Sequence, residues 1–259
     1  MTEHRHYPTT KLHEEIKSHL VLIFSPKDGW NGSGVLVELR GRYFVITAEH
    51  LIDRDFEISL GIPEQQSHFS VLDKWADKGL DVGFIELEPR EVKFLRGSHT
   101  EPYVIRAQQR TSAKYRTTGF ALCGFPNKMS DQINSSTRYK IAMIITPIIS
   151  PSEWPAGIAE LKSRDRHFLI PYGSKHEGQF IDREKGEVER PDPIGLSGCG
   201  LWLYDPATQE SDHPFYSLVG IQQGYFKREQ CLVGSFLQPI VASIQERYGI
   251  VIQEDDNVE

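Results

Sequence analysis

Cysteine is scarce in this chain, with three residues, Cys123, Cys199 and Cys231, among 259. So small and odd a set cannot complete a disulfide framework, which predicts reduced thiols, each a small buried apolar side chain, in a cytoplasmic protein. Long apolar runs are missing as well. Nothing approaches the roughly 18 consecutive apolar residues of a membrane span. The opening residues Met1-Thr2-Glu3-His4-Arg5-His6 are polar where a secretory leader would become apolar, so neither export nor a membrane partner is expected. There is no glycine-rich loop of the nucleotide-binding kind, and His13-Glu14-Glu15-Ile16-Lys17 lacks the second histidine of a zincin helix. His4, His6, His13 and His19 offer only adventitious ligation, so the sequence predicts no cofactor and no metal site. Basic charge is also in short supply: 29 Lys and Arg against 36 Asp and Glu give a formal net charge of −7. A polyanion would be repelled over most of such a surface, which excludes nucleic acid as a direct partner. The basic residues Arg106, Arg110, Lys114 and Arg116 lie near one another and read as a solvated face.

What the chain has is short apolar runs bounded by turn residues. Six fall at 19–24, 34–39, 43–47, 56–60, 69–72 and 82–87, many rich in Val, Ile and Phe. Six more fall at 117–123, 139–145, 167–171, 200–204, 216–222 and 231–236. Strands of this length and spacing predict an all-β fold of two six-stranded antiparallel β-barrels. The charged stretch 90–111, poor in alternation, reads as the link between them. Leu237, Ile240, Val241, Ile244 and Tyr248 recur at near-helical spacing, so a C-terminal helix stopping at Gly249 and packing on the second barrel is expected. The organisation is then an extension at 1–17, a first lobe at 18–108, a second lobe with its helix at 109–249, and an acidic tail at 250–259. No fixed-period repeat is visible. Segment 173–191 is charged and turn-rich and reads as a mobile surface hairpin or loop.

One stretch stands out chemically. In Gly195-Leu196-Ser197-Gly198-Cys199-Gly200 a serine is wedged between glycines just ahead of the apolar run Leu201-Trp202-Leu203-Tyr204, which is how a nucleophile is mounted on a tight turn. Upstream, Thr47-Ala48-Glu49-His50 closes an apolar strand, and Leu80-Asp81-Val82-Gly83-Phe84-Ile85-Glu86-Leu87 lies between the two. Asp81 follows His50 by 31 residues and Ser197 follows Asp81 by 116, enough for one hairpin or two within a barrel and then a crossing into the other. The chain order His, Asp, Ser is that of the chymotrypsin-type triad; the subtilisin and α/β-hydrolase scaffolds use other orders.

On these residues the chain resembles the trypsin-like serine peptidases of the chymotrypsin fold, closer to the HtrA-like bacterial members than to secreted digestive enzymes. Gly32-Ser33-Gly34-Val35-Leu36-Val37 followed by Tyr43 to His50 is similar to the family's strand pair ending in its histidine. Asp81 stands in a segment like the family's aspartate segment, Ser197 matches its serine, and Leu218-Val219-Gly220-Ile221 resembles the strand beside its specificity pocket. The likeness runs over residues 18–248. It implies that His50 is the general base, that Asp81 orients and stabilises the imidazolium, that Ser197 attacks, and that the backbone N–H groups of Gly195 and Ser197 form the oxyanion hole. It also implies a pocket base at Pro191, with Asp192 beside it favouring basic side chains if it points inward and forming a turn if it does not. Gln223, Gly224 and Tyr225 would offer an edge for a substrate strand on the other wall.

The chain departs from the family's pattern at several places. Leu196 stands where secreted members carry the aspartate that pairs with a newly cut amino terminus, so activation by that ion pair is excluded. Cys199 and Gly200 replace the usual Gly and Pro, and Glu49 replaces a small residue. The implied partners are a protein or peptide substrate and a regulatory protein, in a bacterial defence or regulatory setting. Two other readings remain open at this point. One is a binding module that keeps the peptidase fold without turnover. The other is an esterase, in which Gly195 to Cys199 is an α/β-hydrolase elbow with Asp205, Asp212 and His213 downstream.

Overall fold

The computed structural model describes residues 10–24, 31–52, 59–62, 65–67, 71–97, 100–105, 119–127, 131–133, 136–138, 140–173, 179–182, 186–187, 192–208, 211–212 and 214–251. After helix α1 (Thr10–Lys17), the first lobe is built from β1 (Leu20–Phe24), β2 (Asn31–Leu39), β3 (Arg42–Ala48), β4 (Ser59–Ile62), β5 (Gln65–Ser67), β6 (Val71–Asp77) and β7 (Val82–Leu87). These pair antiparallel in the order β5-β4-β1-β2-β3-β7-β6. Helix α2 (Pro89–Gly97) follows, and then β8 (Tyr103–Val104), which runs parallel to β2.

Strands β1 and β7 are buried at every position, which explains why their sequences read as unbroken apolar runs rather than alternating ones. One face of β1, Val21 and Ile23, packs with Leu36, Val45 and Ile85 around the lobe's own core, closed over by Val92 and Leu95 of α2. The other face, Leu20, Leu22 and Phe24, joins a larger cluster shared with the second lobe.

The second lobe comprises β9 (Gly119–Gly124), the hairpin β10 (Asp131–Ile133) and β11 (Ser136–Arg138), β12 (Ala142–Thr146), α3 (Ala156–Ala159), β13 (His167–Pro171), β14 (Gln179–Asp182), β15 (Gly186–Glu187), β16 (Gly200–Tyr204), β17 (Tyr216–Phe226), β18 (Cys231–Phe236) and α4 (Leu237–Tyr248). Its main sheet runs β13-β18-β17-β16-β9-β12-β14-β15. Leu122, Ile144, Phe168, Ile170, Leu201 and Leu232 fill the core of this lobe.

The expected architecture of two antiparallel β-barrels with a C-terminal helix is present, with differences in detail. Each main sheet has eight strands among the described residues rather than six. The added ones are short: β5 and β8 in the first lobe, β14 and β15 in the second. The last pair forms a hairpin within 173–191, and β14 lengthens the sheet by pairing with β12. The stretch expected as a link contains α2. Expected strand residues 56–58, 69–70, 117–118 and 139 lie outside the described residues.

The two lobes share one apolar cluster, in which Val35, Phe44, Ile46 and Phe84 meet Cys123, Trp202, Leu218 and Ile221. His19 lies at this junction, with Nδ1 2.7 Å from the carbonyl oxygen of Glu101 and Nε2 2.9 Å from the Tyr216 hydroxyl. Burial lowers its pKa, so the ring is neutral at pH 7.

Helix α4 packs on the second lobe, against β17 and β18, as expected, and on the first lobe as well. Leu237, Ile240, Val241 and Ile244 belong to the shared cluster, and the last turn binds the first lobe. Arg247 and the Tyr248 hydroxyl each donate to Asp73 Oδ2 at 3.0 Å, Trp75 Nε1 donates to the Tyr248 hydroxyl at 3.1 Å, and the Arg42 guanidinium sits 3.8 Å from the Tyr248 ring centre. Among the described residues no helix is long and apolar enough to cross a membrane.

Candidate active site

The site grows from the ends of strands. β3 pairs with β7 as far as Ala48 opposite Val82, so the residues just after β3 and just before β7 emerge side by side. Beyond Ala48 the chain makes one 3-10 turn, Glu49–Leu51, in which Leu51 is buried and His50 is exposed. Asp81 precedes β7 in a left-handed conformation, φ 58°, which Asp tolerates better than most residues. The Glu49 N–H donates to the Asp81 carbonyl oxygen at 3.2 Å, tying the two turns together.

The second lobe grips the same turn. The Leu80 carbonyl oxygen accepts from Ser235 Oγ at 2.8 Å and also from Gln223 Nε2. Gln223 Nε2 lies 2.6 Å from Ser235 Oγ. From the end of α3, Lys162 Nζ lies 3.4 Å from Asp81 Oδ2. Asp81 therefore sits on a loop fixed from both lobes.

The turn bearing Ser197 is held by short local bonds, Leu196 N–H to Pro193 O at 3.1 Å and Cys199 N–H to Leu196 O at 2.9 Å. It requires positive φ at Gly195, 92°, and at Gly198, 87°, where a side chain would be strained. Its outer contacts come from Ser33 on β2. The Ser33 N–H donates to Ser197 O at 2.7 Å. Ser33 Oγ donates to Gly195 O at 2.9 Å and accepts from Phe125 N–H at 2.9 Å. Thr47 Oγ1, three residues before His50, donates to Ser33 O at 2.7 Å. On the other side Gly198 N–H donates to Gln222 O and Gln222 N–H to Cys199 O. A chain of hydrogen bonds thus runs from the strand ending near His50, through Ser33, to the backbone of Ser197.

The departures from the family's pattern have visible consequences. Leu196 is fully buried in the core of the second lobe, so this turn is anchored by apolar packing. Cys199 is buried, and burial first, then neighbouring Cys123, push its thiol well above its usual pKa. A neutral buried thiol is inert, so of Cys199 and Ser197 only the serine hydroxyl is a candidate nucleophile on this turn. After Cys199 the chain enters strand β16 rather than a helix, so the strand-turn-helix elbow of an α/β-hydrolase is absent here.

The expected substrate wall is mixed. Pro191 lies outside the described residues. Asp192 Oδ1 accepts from the Ile194 N–H at 3.2 Å, an Asx turn that favours its turn-forming role. Gln223 is fully buried and occupied between the lobes, so it does not line an open edge. Gly224 and Tyr225 pair with Val233 and Leu232 of β18, whereas the pairing of β17 with β16 ends at Ile221. Tyr225 packs edge to face on Tyr172, ring centres 5.8 Å apart. The sequence reading missed the roles of Ser33, Thr47, Ser235 and Lys162. Ser33 and Thr47 stood in the motifs that drew attention, but as strand residues; nothing local marked Ser235 or Lys162. Among the described residues no group of three or more His, Cys, Asp and Glu is arranged to hold a metal ion.

No protein-family model matches the chain. No curated protein matches it in sequence. Similar solved structures include the active form of the Rv3671c protease from M. tuberculosis, at 14% identity over 93% of this chain and 85% of that one, with a TM-score of 0.49. An inactive form of the same M. tuberculosis protein carrying a serine-to-alanine change is 11% identical over 96% of this chain and 93% of that one, TM-score 0.46. A chain solved in connection with the coupled folding and binding of the intrinsically disordered Sesbania mosaic virus VPg protein is 13% identical over 92% of each chain, TM-score 0.45.

Proposed function

We propose that this protein is a trypsin-like serine endopeptidase that hydrolyses peptide bonds of protein substrates. The observation that carries the reading is the hydrogen-bond chain through Ser33: it joins the nucleophile turn of one lobe to the strand that ends beside His50, whose turn is bonded in turn to Asp81. Three residue types that perform acyl transfer together thus lie on turns locked to one another where the lobes meet.

In this reading Ser197 Oγ attacks the scissile carbonyl while His50 takes its proton. The bond to the leaving amine breaks as His50 returns that proton, giving an acyl-enzyme and a free amine. Water, deprotonated by the same imidazole, then releases the acid. Asp81 holds the imidazole's tautomer and balances its charge. The backbone N–H groups of Gly195 and Ser197 stabilise the oxyanion, each worth about 2.7–4 kcal/mol in such sites. The edge of β17 beyond Ile221, at Gly224 and Tyr225, receives the substrate as an added strand.

Regulation by a partner protein belongs to the same reading, because Leu196 offers no charge for a cut amino terminus, and the β14–β15 hairpin lies in the segment leading to the nucleophile turn. A cytoplasmic setting agrees with three cysteines that are all free and buried. The test is fluorophosphonate labelling together with hydrolysis of an unfolded protein substrate. Labelling confined to Ser197, with new amino termini appearing in the substrate, is the expected result. If neither occurs under any condition that supports binding of a protein partner, the chain is instead a binding module on a peptidase fold.

A further inference from the structure

Lys162 has no part in the machinery just described, yet it reaches into it. Its Nζ lies 3.4 Å from Asp81 Oδ2, with side-chain exposures of 18% for the lysine and 31% for the aspartate. The residue is mounted rigidly. Its N–H donates to Ile158 O at 2.9 Å, extending α3 by a turn, and Ile158 is buried against Trp154, Leu169 and Val233. Downstream, the His167 N–H and Nδ1 both address Ser163 O, at 2.9 and 3.1 Å, and the Phe236 N–H donates to Arg166 O. A long flexible side chain on a mobile loop would gain little from such an ion pair. Here one end springs from a pinned turn and the other from a loop already held by Ser235 and Gln223.

We propose that Lys162 is a positioning residue for Asp81: from the second lobe its ammonium holds Oδ2, fixing the carboxylate beside the turn that bears His50, whose Glu49 N–H is bonded to the Asp81 carbonyl oxygen. The inference rests on the peptidase reading and adds to it a residue that acts through Asp81 rather than on the substrate. It has an electrostatic consequence. A cation sharing the carboxylate offsets the negative charge that would otherwise favour imidazolium, so His50 stays neutral, and able to act as a base, to lower pH than a bare Asp–His pair allows.

The other charged groups around the pair do not duplicate this role. Glu49 is on the His50 turn, and Lys78 faces it at 4.0 Å. His167 neighbours Lys162 and Asp81, but burial lowers its pKa and leaves it uncharged at neutral pH. Arg166 is exposed beside it. Among the described residues Lys162 is thus the second lobe's charge in contact with the Asp81 carboxylate.

The test is an NMR titration of the His50 imidazole in the full chain, assigned with His50→Gln, alongside kcat and KM against pH. Wild type is compared with Lys162→Met, Lys162→Arg, Asp81→Asn and the Asp81→Asn/Lys162→Met double variant. Lys162→Met should raise the His50 pKa by about 0.5–1 unit, move the acid limb of kcat/KM upward by the same amount, and lower kcat about tenfold with KM little changed. Lys162→Arg should stay within about twofold of wild type in kcat. In the Asp81→Asn background the same lysine change should no longer lower kcat, as expected for two residues acting as a unit. An unmoved His50 titration in Lys162→Met, or a gain in turnover, which would make the ion pair a latch, overturns the proposal. Because the titration is read without turnover, it decides the role of Lys162 even if the protein neither labels nor cleaves, an outcome that would fail the peptidase reading instead.

Discussion

Ser33 donates its backbone N–H to the carbonyl oxygen of Ser197 over 2.7 Å, joining strand β2 of the first lobe to the glycine-flanked turn of the second. Ser33 Oγ adds a second bond to the same turn at Gly195 O. Carbonyls on both sides of Leu196 are therefore aimed at a single buried residue. A backbone loop rich in glycine would otherwise sample several peptide orientations, and these two bonds select one. The selection crosses the lobe boundary, so the shape of the turn depends on lobe packing as well as on its own sequence.

Gly198→Ala should break this arrangement. A Cβ at position 198 would run into the Ser33 carbonyl oxygen and Thr47 Oγ1, and its φ of 87° already disfavours any side chain. Backbone and a buried hydroxyl cannot yield as a flexible side chain would. The variant is expected to lose hydrolysis and fluorophosphonate labelling and to unfold at lower temperature than wild type. A variant matching wild type in both would show that the turn is not held as described.

Ser197→Ala should lower turnover by a factor on the order of 10⁶ while leaving thermal unfolding nearly unchanged, since one hydroxyl is lost and no cavity is made. His50→Ala should be comparably damaging. The double variant should be little worse than either single one, because nucleophile and base act as a unit. Rates that multiply in the double variant would count against a shared role.

Ser235→Ala tests the support behind Asp81. It removes one of the two side-chain donors to Leu80 O and a partner of Gln223 Nε2. Loss of a single neutral hydrogen bond is expected to cost about 1 kcal/mol in urea unfolding. Turnover should fall with KM little affected, as the Asp81 loop loosens. A change confined to KM would place Ser235 with substrate binding instead.

His19 predicts a pH dependence of stability. Burial lowers its pKa below the ordinary histidine value of 6.5, so the unfolded chain takes up a proton before the folded one does. The stabilisation is complete above about pH 6.5 and is lost progressively as pH falls toward the folded pKa. Thermal unfolding at pH 7.5 and pH 5.5 should show a drop for wild type and a smaller drop for His19→Gln, which cannot charge. Equal drops in the two proteins would remove His19 from the account.

The sequence made much of this structure legible, and the failures have physical reasons. Strands β3, β7, β16 and β18 were readable because long apolar runs between turn residues have few alternatives. Helix α2 was not, since it commits only Val92 and Leu95 to the core, too little to stand out in a charged stretch. Strands β14 and β15 owe their pairing to β12 and to each other rather than to strong local preference. His50, Asp81 and Ser197 stood out because the residues around them follow a strand-turn pattern, and the structure puts each on a turn at a strand end. Lys162 and Ser235 were missed because an ion pair or hydrogen bond across two lobes leaves no local trace. Gln223 shows the opposite error, a residue noticed for its place on β17 whose side chain is used between the lobes.

Helix α4 has a further consequence, for the order in which the chain is made. Its last turn covers Asp73, Trp75 and Phe44, all of which leave the ribosome well over a hundred residues earlier. The first barrel can pair its strands early, but one of its apolar walls waits for helix α4. During that interval the wall is a sticky surface that a chaperone or the growing second barrel must shield. Loss of helix α4 would thus damage the first barrel as much as the second.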